Sequence, residues 1–246
     1  MIASIRAEFR KLLTVRSTYI VFGFALLLAV FFAFYVDGIK AGPTVGDPGK
    51  LASEVINAIN TVSILGALVG VLLVTHEYRY NTIMYTLTLS RSRTQVFFAK
   101  LIAISVFAVI FALALAAFSP AMAYLGVQVK GLHLVHQVFP VWSLLWRAVF
   151  VGWGFSMIAF VLAMIIRIQV GAFAALFLIP SMIEAIIGLL LKKNAVYLPF
   201  NSLGAVLQHR SDLTSITYGR AALVALVYIV VGCVVAWQLF LRRDAN

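Results

Sequence analysis

Six stretches of the chain are mostly apolar over about the 20 residues that a bilayer-crossing helix requires. They run Thr18–Val36, Val55–Thr75, Leu101–Leu125, Leu144–Ile166, Val170–Leu191 and Ala221–Leu241. All are rich in Leu, Val, Ile, Ala and Phe, and none alternates apolar with polar at period two. Helices are therefore expected rather than barrel strands. The first stretch is too long for a signal-peptide core and is followed by a Gly/Pro-rich loop without a small-x-small cleavage pattern, so it reads as retained. Before it, Ile2, Ile5, Phe9, Leu12 and Leu13 recur at helical spacing, with Arg6, Arg10 and Lys11 mostly between them. That pattern predicts an amphipathic helix lying on the inner leaflet. After Pro199 the run "FNSLGAVLQHR" puts Leu203, Val206 and Leu207 on one helical face, predicting a short helix in or dipping into the outer interface. The expected architecture is an all-α integral membrane protein. An interface helix over 1–17 precedes a single six-span domain over 18–241, with a loop at 76–100, a long outer loop at 192–219 and a tail at 242–246.

Composition fits that reading. The 246 residues are 63% hydrophobic and 11% charged, and their mean hydropathy is +1.06. A globular domain carries nearer a quarter charged residues, so lipid must solvate much of this surface. The net charge of +11 is scattered between apolar runs rather than gathered on one patch, which argues against a nucleic-acid partner and for membrane topology and anionic lipid. With six crossings, both termini share a side, and the segments on that side hold eleven of the nineteen Lys and Arg. The expectation is a multi-pass protein of a prokaryotic plasma membrane with both termini cytoplasmic. The one cysteine, Cys233, sits inside an apolar run, so neither a disulfide nor a cysteine metal site forms within one subunit.

The stretch "THEYRYNTIMYTLTLSRSRTQVFFAK", Thr75 to Lys100, changes the picture. It is too charged for a span and too aromatic for a plain loop. Ser92 with Gln95 three residues later makes a capping-box pattern, so the third span's helix is expected to begin near Arg93 and to enter lipid near Leu101. Upstream, Asn81–Leu89 fits a short helix with Ile83, Leu87 and Ser90 on one side. Glu77 cannot lie deep in hydrocarbon without a large cost. It is expected at the inner boundary, paired with a cation from Arg79, the interface helix or a partner.

This stretch is similar to the first cytoplasmic loop of type-2 ABC-transporter permeases. In that family an acidic–aromatic–Arg triplet after the second span precedes a Thr-Ile/Leu step, a Ser-Arg and an Ala-Lys pair. Glu77, Tyr78, Arg79, Thr82, Ile83, Ser90, Arg91, Ala99 and Lys100 match in order. The start "RAEFRKLLTVRSTYI", with Arg6, Phe9, Arg10 and Lys11, also resembles the family's interface helix. Asn81 stands where the family often has Gly, and no Pro precedes Ser90. The resemblance implies a permease that binds no cofactor itself. It would work as a pair of identical or homologous permease subunits with two copies of a separate ATP-binding subunit that holds ATP and Mg. Glu77, Tyr78, Arg79, Thr82, Ile83 and Arg91 are the residues it implicates in coupling to that subunit.

The chain has no nucleotide-binding loop of its own. Its single Gly-Lys pair, Gly49-Lys50, lacks the upstream Gly and the following Ser or Thr. His133 and His136 are three apart without a carboxylate or cysteine partner, a spacing of exposed loop histidines before it is one of metal ligands. Gly66 and Gly70 form a close-packing motif whose face lies opposite Asn57 and Asn60 on the same span. Those asparagines either line a translocation path or are satisfied by neighbouring spans. Glu184, an acid inside the fifth apolar run, should face protein or a cavity. It belongs either to the path or to the structure, the latter with Lys192 or Lys193 as its partner. Pro180 just before it predicts a kink. The expected function is the permease of an ATP-driven exporter of an amphipathic lipid, peptide or drug. The alternative is a stand-alone secondary transporter using Glu184 as an ion or proton relay. An intramembrane enzyme lacks support, since no G-x-S-x-G or H-E-x-x-H motif occurs.

Overall fold

A computed structural model describes residues 1–40, 48–90, 92–131, 141–207 and 216–243, without the side chains at 17, 37, 48–58, 60, 61 and 141–144. His133, His136 and Arg91 lie outside the described residues. The described secondary structure is entirely helical. It comprises α1 (Ile2–Thr14), α2 (Arg16–Phe31, continued as a π-helix over Phe32–Lys40), α3 (Pro48–Arg79), α4 (Ile83–Thr88), α5 (Arg93–Val129) and α6 (Val141–Ile166). Then come α7 (Gln169–Leu178), a π-turn (Ile179–Ile183), α8 (Glu184–Leu191), a 3-10 turn (Lys192–Tyr197), α9 (Pro199–Leu207) and α10 (Tyr218–Arg242). Six helical runs among the described residues are long and apolar enough to cross a membrane: Thr18–Lys40, Val62–Arg79, Arg93–Val129, Leu145–Ile166, Gln169–Tyr197 and Tyr218–Arg242.

These runs reach further than the hydropathy edges. The first continues to Lys40 and α3 opens at Pro48, so the connection is shorter than the Val36–Lys50 loop read from composition. Proline suits a first helical residue because its missing N–H would be unpaired there anyway. At 1.5 Å per residue, the 32 residues of α3 and the 37 of α5 span about 48 and 55 Å, against a hydrocarbon core of about 30 Å. Both helices are longer than that core is thick. α5 begins at Arg93, as the capping pattern predicts, with Gln95 N–H donating to Ser92 Oγ at 3.2 Å. The other half of that capping box is absent, because the Gln95 side chain donates instead to Ser4 Oγ of α1 at 2.9 Å.

α3 is the most enclosed span. About two thirds of its Val62–Arg79 stretch is buried, between α2, α5, α6 and α7. Its two glycines bring neighbours close: a Cβ on Gly66 would sit 2.0 Å from the Phe111 ring, and one on Gly70 would sit 3.0 Å from the Ser156 carbonyl oxygen. By contrast only 11% of the fifth span is buried, and Leu189 and Leu190 are 79% and 81% exposed. Such a face is stable only in lipid or against another protein.

At Ile179–Ile183 the fifth span loosens into a π-turn containing Pro180, whose ring nitrogen has no hydrogen to donate. α9 is the short helix expected after Pro199. Phe200, Leu203, Val206 and Leu207 are all buried, and the helix packs on α6 and α10. Gly154 on α6 admits this approach, since a Cβ there would lie 2.5 Å from Leu203.

Candidate functional site

Among the described residues, buried charges gather where α1 meets the end of α3 and the start of α5. Lys100 is 1% exposed, Glu8 2% and Glu77 5%. Sequence position puts each there. Glu8 and Lys11 are three apart on α1 and share a face. Glu77 lies in the last turn of α3, and Lys100 lies two turns into α5. Lys11 Nζ donates to Glu8 Oε1 at 2.7 Å, to Glu77 Oε1 at 2.5 Å and to Thr86 Oγ1 of α4 at 3.3 Å. Lys100 Nζ donates to Glu8 Oε2 at 2.9 Å and lies 2.7 Å from Glu77 Oε1. The result is a closed ring of alternating charge with no net charge.

A ring of this kind behaves as one piece. Placing four ions out of water costs several kcal/mol each before pairing, and their attraction at low dielectric offsets it only while the geometry holds. Losing one partner strands a buried charge, so the ring resists being pulled apart and moves its helices together. It joins three separate segments, and Thr86 adds α4 as a fourth.

The three residues that open the loop diverge. Glu77 enters the ring. The Tyr78 ring lies under the Arg167 guanidinium, 5.1 Å from its centroid, at the turn between α6 and α7. Arg79 donates to Gln169 Oε1 at 3.1 Å, at the first residue of α7, and stacks over Tyr80. Arg79 is thus not the cation on Glu77. Lys11 and Lys100 are, because successive helical residues point about 100° apart. Nearby, Arg93 Nη1 donates to the carbonyls of Leu241 and Arg243 at 3.3 and 3.0 Å, tying the end of α10 to the start of α5.

The loop turns at Asn81, whose φ is +54°. That left-handed conformation is open to Gly and, with less ease, to Asn. Thr82 follows as the residue before α4, and Ile83 anchors α4 at 2% exposed. Tyr80, Met84, Tyr85 and Leu89 stand out from the bundle, with Leu89 89% exposed. On α1, Lys11 is in the ring and Phe9 packs partly against the core, whereas Arg6 and Arg10 are exposed.

The other sequence candidates lie elsewhere. Asn57 and Asn60 fall on α3, but their side chains are outside the described residues. Glu184 is 2% exposed and lies near the middle of the fifth span, directly after the π-turn. Its Oε1 accepts the Phe200 N–H at 2.8 Å and its Oε2 the Asn201 N–H at 2.9 Å. It caps the start of α9, where unpaired backbone amides favour a carboxylate; the expected Lys192 or Lys193 partner is replaced by these amides. Sequence reasoning missed Glu8 and used Lys100 only as a motif residue. The available signal was a lone acid in a basic amphipathic helix, together with a lysine at the very edge of an apolar run.

No group of three or more His, Cys, Asp or Glu able to hold a metal ion occurs among the described residues. Comparison with curated proteins gives no match. Residues 4–192, which include α1, the ring, α4 and the first five spans as far as Lys192, match the family described as ABC-2 family transporter protein. Members of that family generally pair with an ATP-binding subunit, which is where ATP binds. The match covers more than half of the chain, and the chain therefore belongs to the ABC-2 transporter family, as its multi-pass, non-catalytic permease component.

Proposed function

We propose that the chain is the transmembrane subunit of an ATP-driven exporter, acting as a dimer of permease subunits with two copies of a soluble ATPase subunit. It moves an amphipathic substrate, such as a lipid, peptide or drug, outward by alternating access. In this reading the chain is an interface helix over 1–17, a six-span domain over 18–241 and a tail over 242–246, with both termini cytoplasmic. The observation that carries it is the closed Glu8–Lys11–Glu77–Lys100 ring directly behind α4. α4 and the residue after it offer exposed Tyr85 and Leu89 to a partner, and α4 is fastened to the bundle by Ile83 and the Lys11–Thr86 contact. Closure of the ATPase pair pushes α4. The ring passes the displacement to α1, α3 and α5 together, and the Tyr78 and Arg79 contacts pass it to the α6–α7 turn. Asn57 and Asn60 on α3 are the residues proposed for the path.

The secondary-transporter alternative draws less support. Its proposed relay, Glu184, has both carboxylate oxygens engaged by the amides of α9. The test is association. The tagged chain should co-purify with a soluble ATPase, and deleting Asn81–Leu89 should abolish that while membrane insertion persists. Unchanged ATPase recovery from the deletion variant would refute the coupling role.

A further inference from the structure

A cavity of about 860 Å³ opens beside the ion ring, between α1, the end of α3, α4 and the start of α5. Its size is that of small-molecule sites, which run about 300–1,000 Å³. The walls are mostly apolar: Leu12 of α1 and Val15 just after it, Leu72 and Leu73 from α3, Leu89 just after α4 and Val96 from α5. Glu8, Lys11 and Glu77 supply one polar edge. Within the ring, Glu77 Oε2 is the one buried atom with no hydrogen-bond donor among the described residues, while Oε1 takes both lysines. A buried acceptor left unmatched is costly, more so on a charged group. Lys11, by contrast, keeps 35% of its side chain exposed, and its contact to Thr86 is its longest.

Glu77 therefore lines the edge with an unmatched carboxylate oxygen buried just behind it, beside a partly open ammonium. We propose that this cavity binds a membrane phospholipid with a zwitterionic headgroup whose ammonium carries N–H. The ammonium donates to Glu77 Oε2. A phosphate oxygen takes the Lys11 hydrogen now directed at Thr86, and an acyl chain lies along the leucine and valine walls. A choline headgroup, fully methylated, has no hydrogen to give. A purely anionic headgroup leaves Glu77 Oε2 unmatched. This inference does not depend on the identity of the ATPase or of the substrate.

The full chain is purified from vesicles of equal phosphatidylethanolamine and phosphatidylcholine, and lipid retained after extensive detergent washing is identified by native mass spectrometry. The expected result is several-fold enrichment of phosphatidylethanolamine over phosphatidylcholine. Ala7→Trp fills the cavity from an exposed position of α1 and should remove the retained lipid. Ala3→Trp, one turn away on the same wall, repeats the test if the first variant melts early. Equal retention of the two lipids, no retained lipid, or undiminished retention in both tryptophan variants overturns the proposal. So does a tryptophan variant that keeps the lipid but loses a co-purifying ATPase, which assigns the cavity to a protein partner instead.

Discussion

Glu77, Tyr78 and Arg79 are adjacent in the chain yet reach three different parts of the molecule. Of the three, Glu77 carries the sharpest consequence. Removing one member of a buried ion pair costs about 3–5 kcal/mol, because the partner stays buried and unpaired. Glu77→Ala leaves Lys100, 1% exposed, with Glu8 alone to share with Lys11. Glu77→Gln keeps the volume and one acceptor but not the charge. Both variants should bind the ATPase subunit and hydrolyse ATP, while transport per ATP in reconstituted vesicles falls several-fold for the alanine. Wild-type stoichiometry for Glu77→Ala would rule out the ring as the coupling element. Glu184 behaves differently. Glu184→Gln retains an oxygen for one α9 amide and should transport nearly as wild type, whereas Glu184→Ala loses the cap, worth about 0.5–2 kcal/mol, and should melt earlier. Full loss of transport in Glu184→Gln at unchanged melting temperature would favour the relay reading.

At the scale of elements, α4 depends on the turn before it. Asn81 at φ +54° is what reverses the chain between α3 and α4, and it stands where the resembling loops often have Gly. Asn81→Gly should therefore preserve ATPase association. Asn81→Val, β-branched, adds about 1–2 kcal/mol of left-handed strain and should weaken it; a co-purification assay that ranks valine equal to glycine would contradict this. The existence of α1, α4 and α5 was legible because caps and apolar periodicity are local signals: Ser92, Ile83 and the Ile2–Leu13 spacing are all readable in place. Their orientation was not. The apolar spacing of α1 grouped Ile2, Ile5, Phe9, Leu12 and Leu13 on a face meant for the leaflet, and of these Ile2 and Leu13 are 84% and 63% exposed while Leu12, with the acid Glu8, faces the protein. Binary pattern reports which face is oily, and on a helix between lipid and protein the oily face does not have to be the one that meets protein. The same holds for α9, whose existence was legible but whose leucine and valine face turns out to meet α6 and α10.

For the whole molecule, the proposed topology places the ring and α4 on the cytoplasmic side and α9 on the outer side. In a Cys233→Ala background, a cysteine at Thr44 or Ser211 should react with an impermeant thiol reagent added outside, and one at Ser92 or after Arg243 should not. Reversed labelling would invert the direction of transport as well as the topology. By itself the sequence determined the membrane class, the six spans, the helix start at Ser92, and the family-like loop. Each of these rests on composition or on residues within a few positions of one another. Only the tertiary structure decided which charges meet. Glu8 and Lys100 are 92 residues apart, and Lys11 and Glu77 are 66 apart. Nothing local marks such a pair, because a lysine at a span edge looks the same whether it faces headgroups or a buried carboxylate. The choice is made by where α1 docks, and that follows from the packing of α1 on α5 and α2.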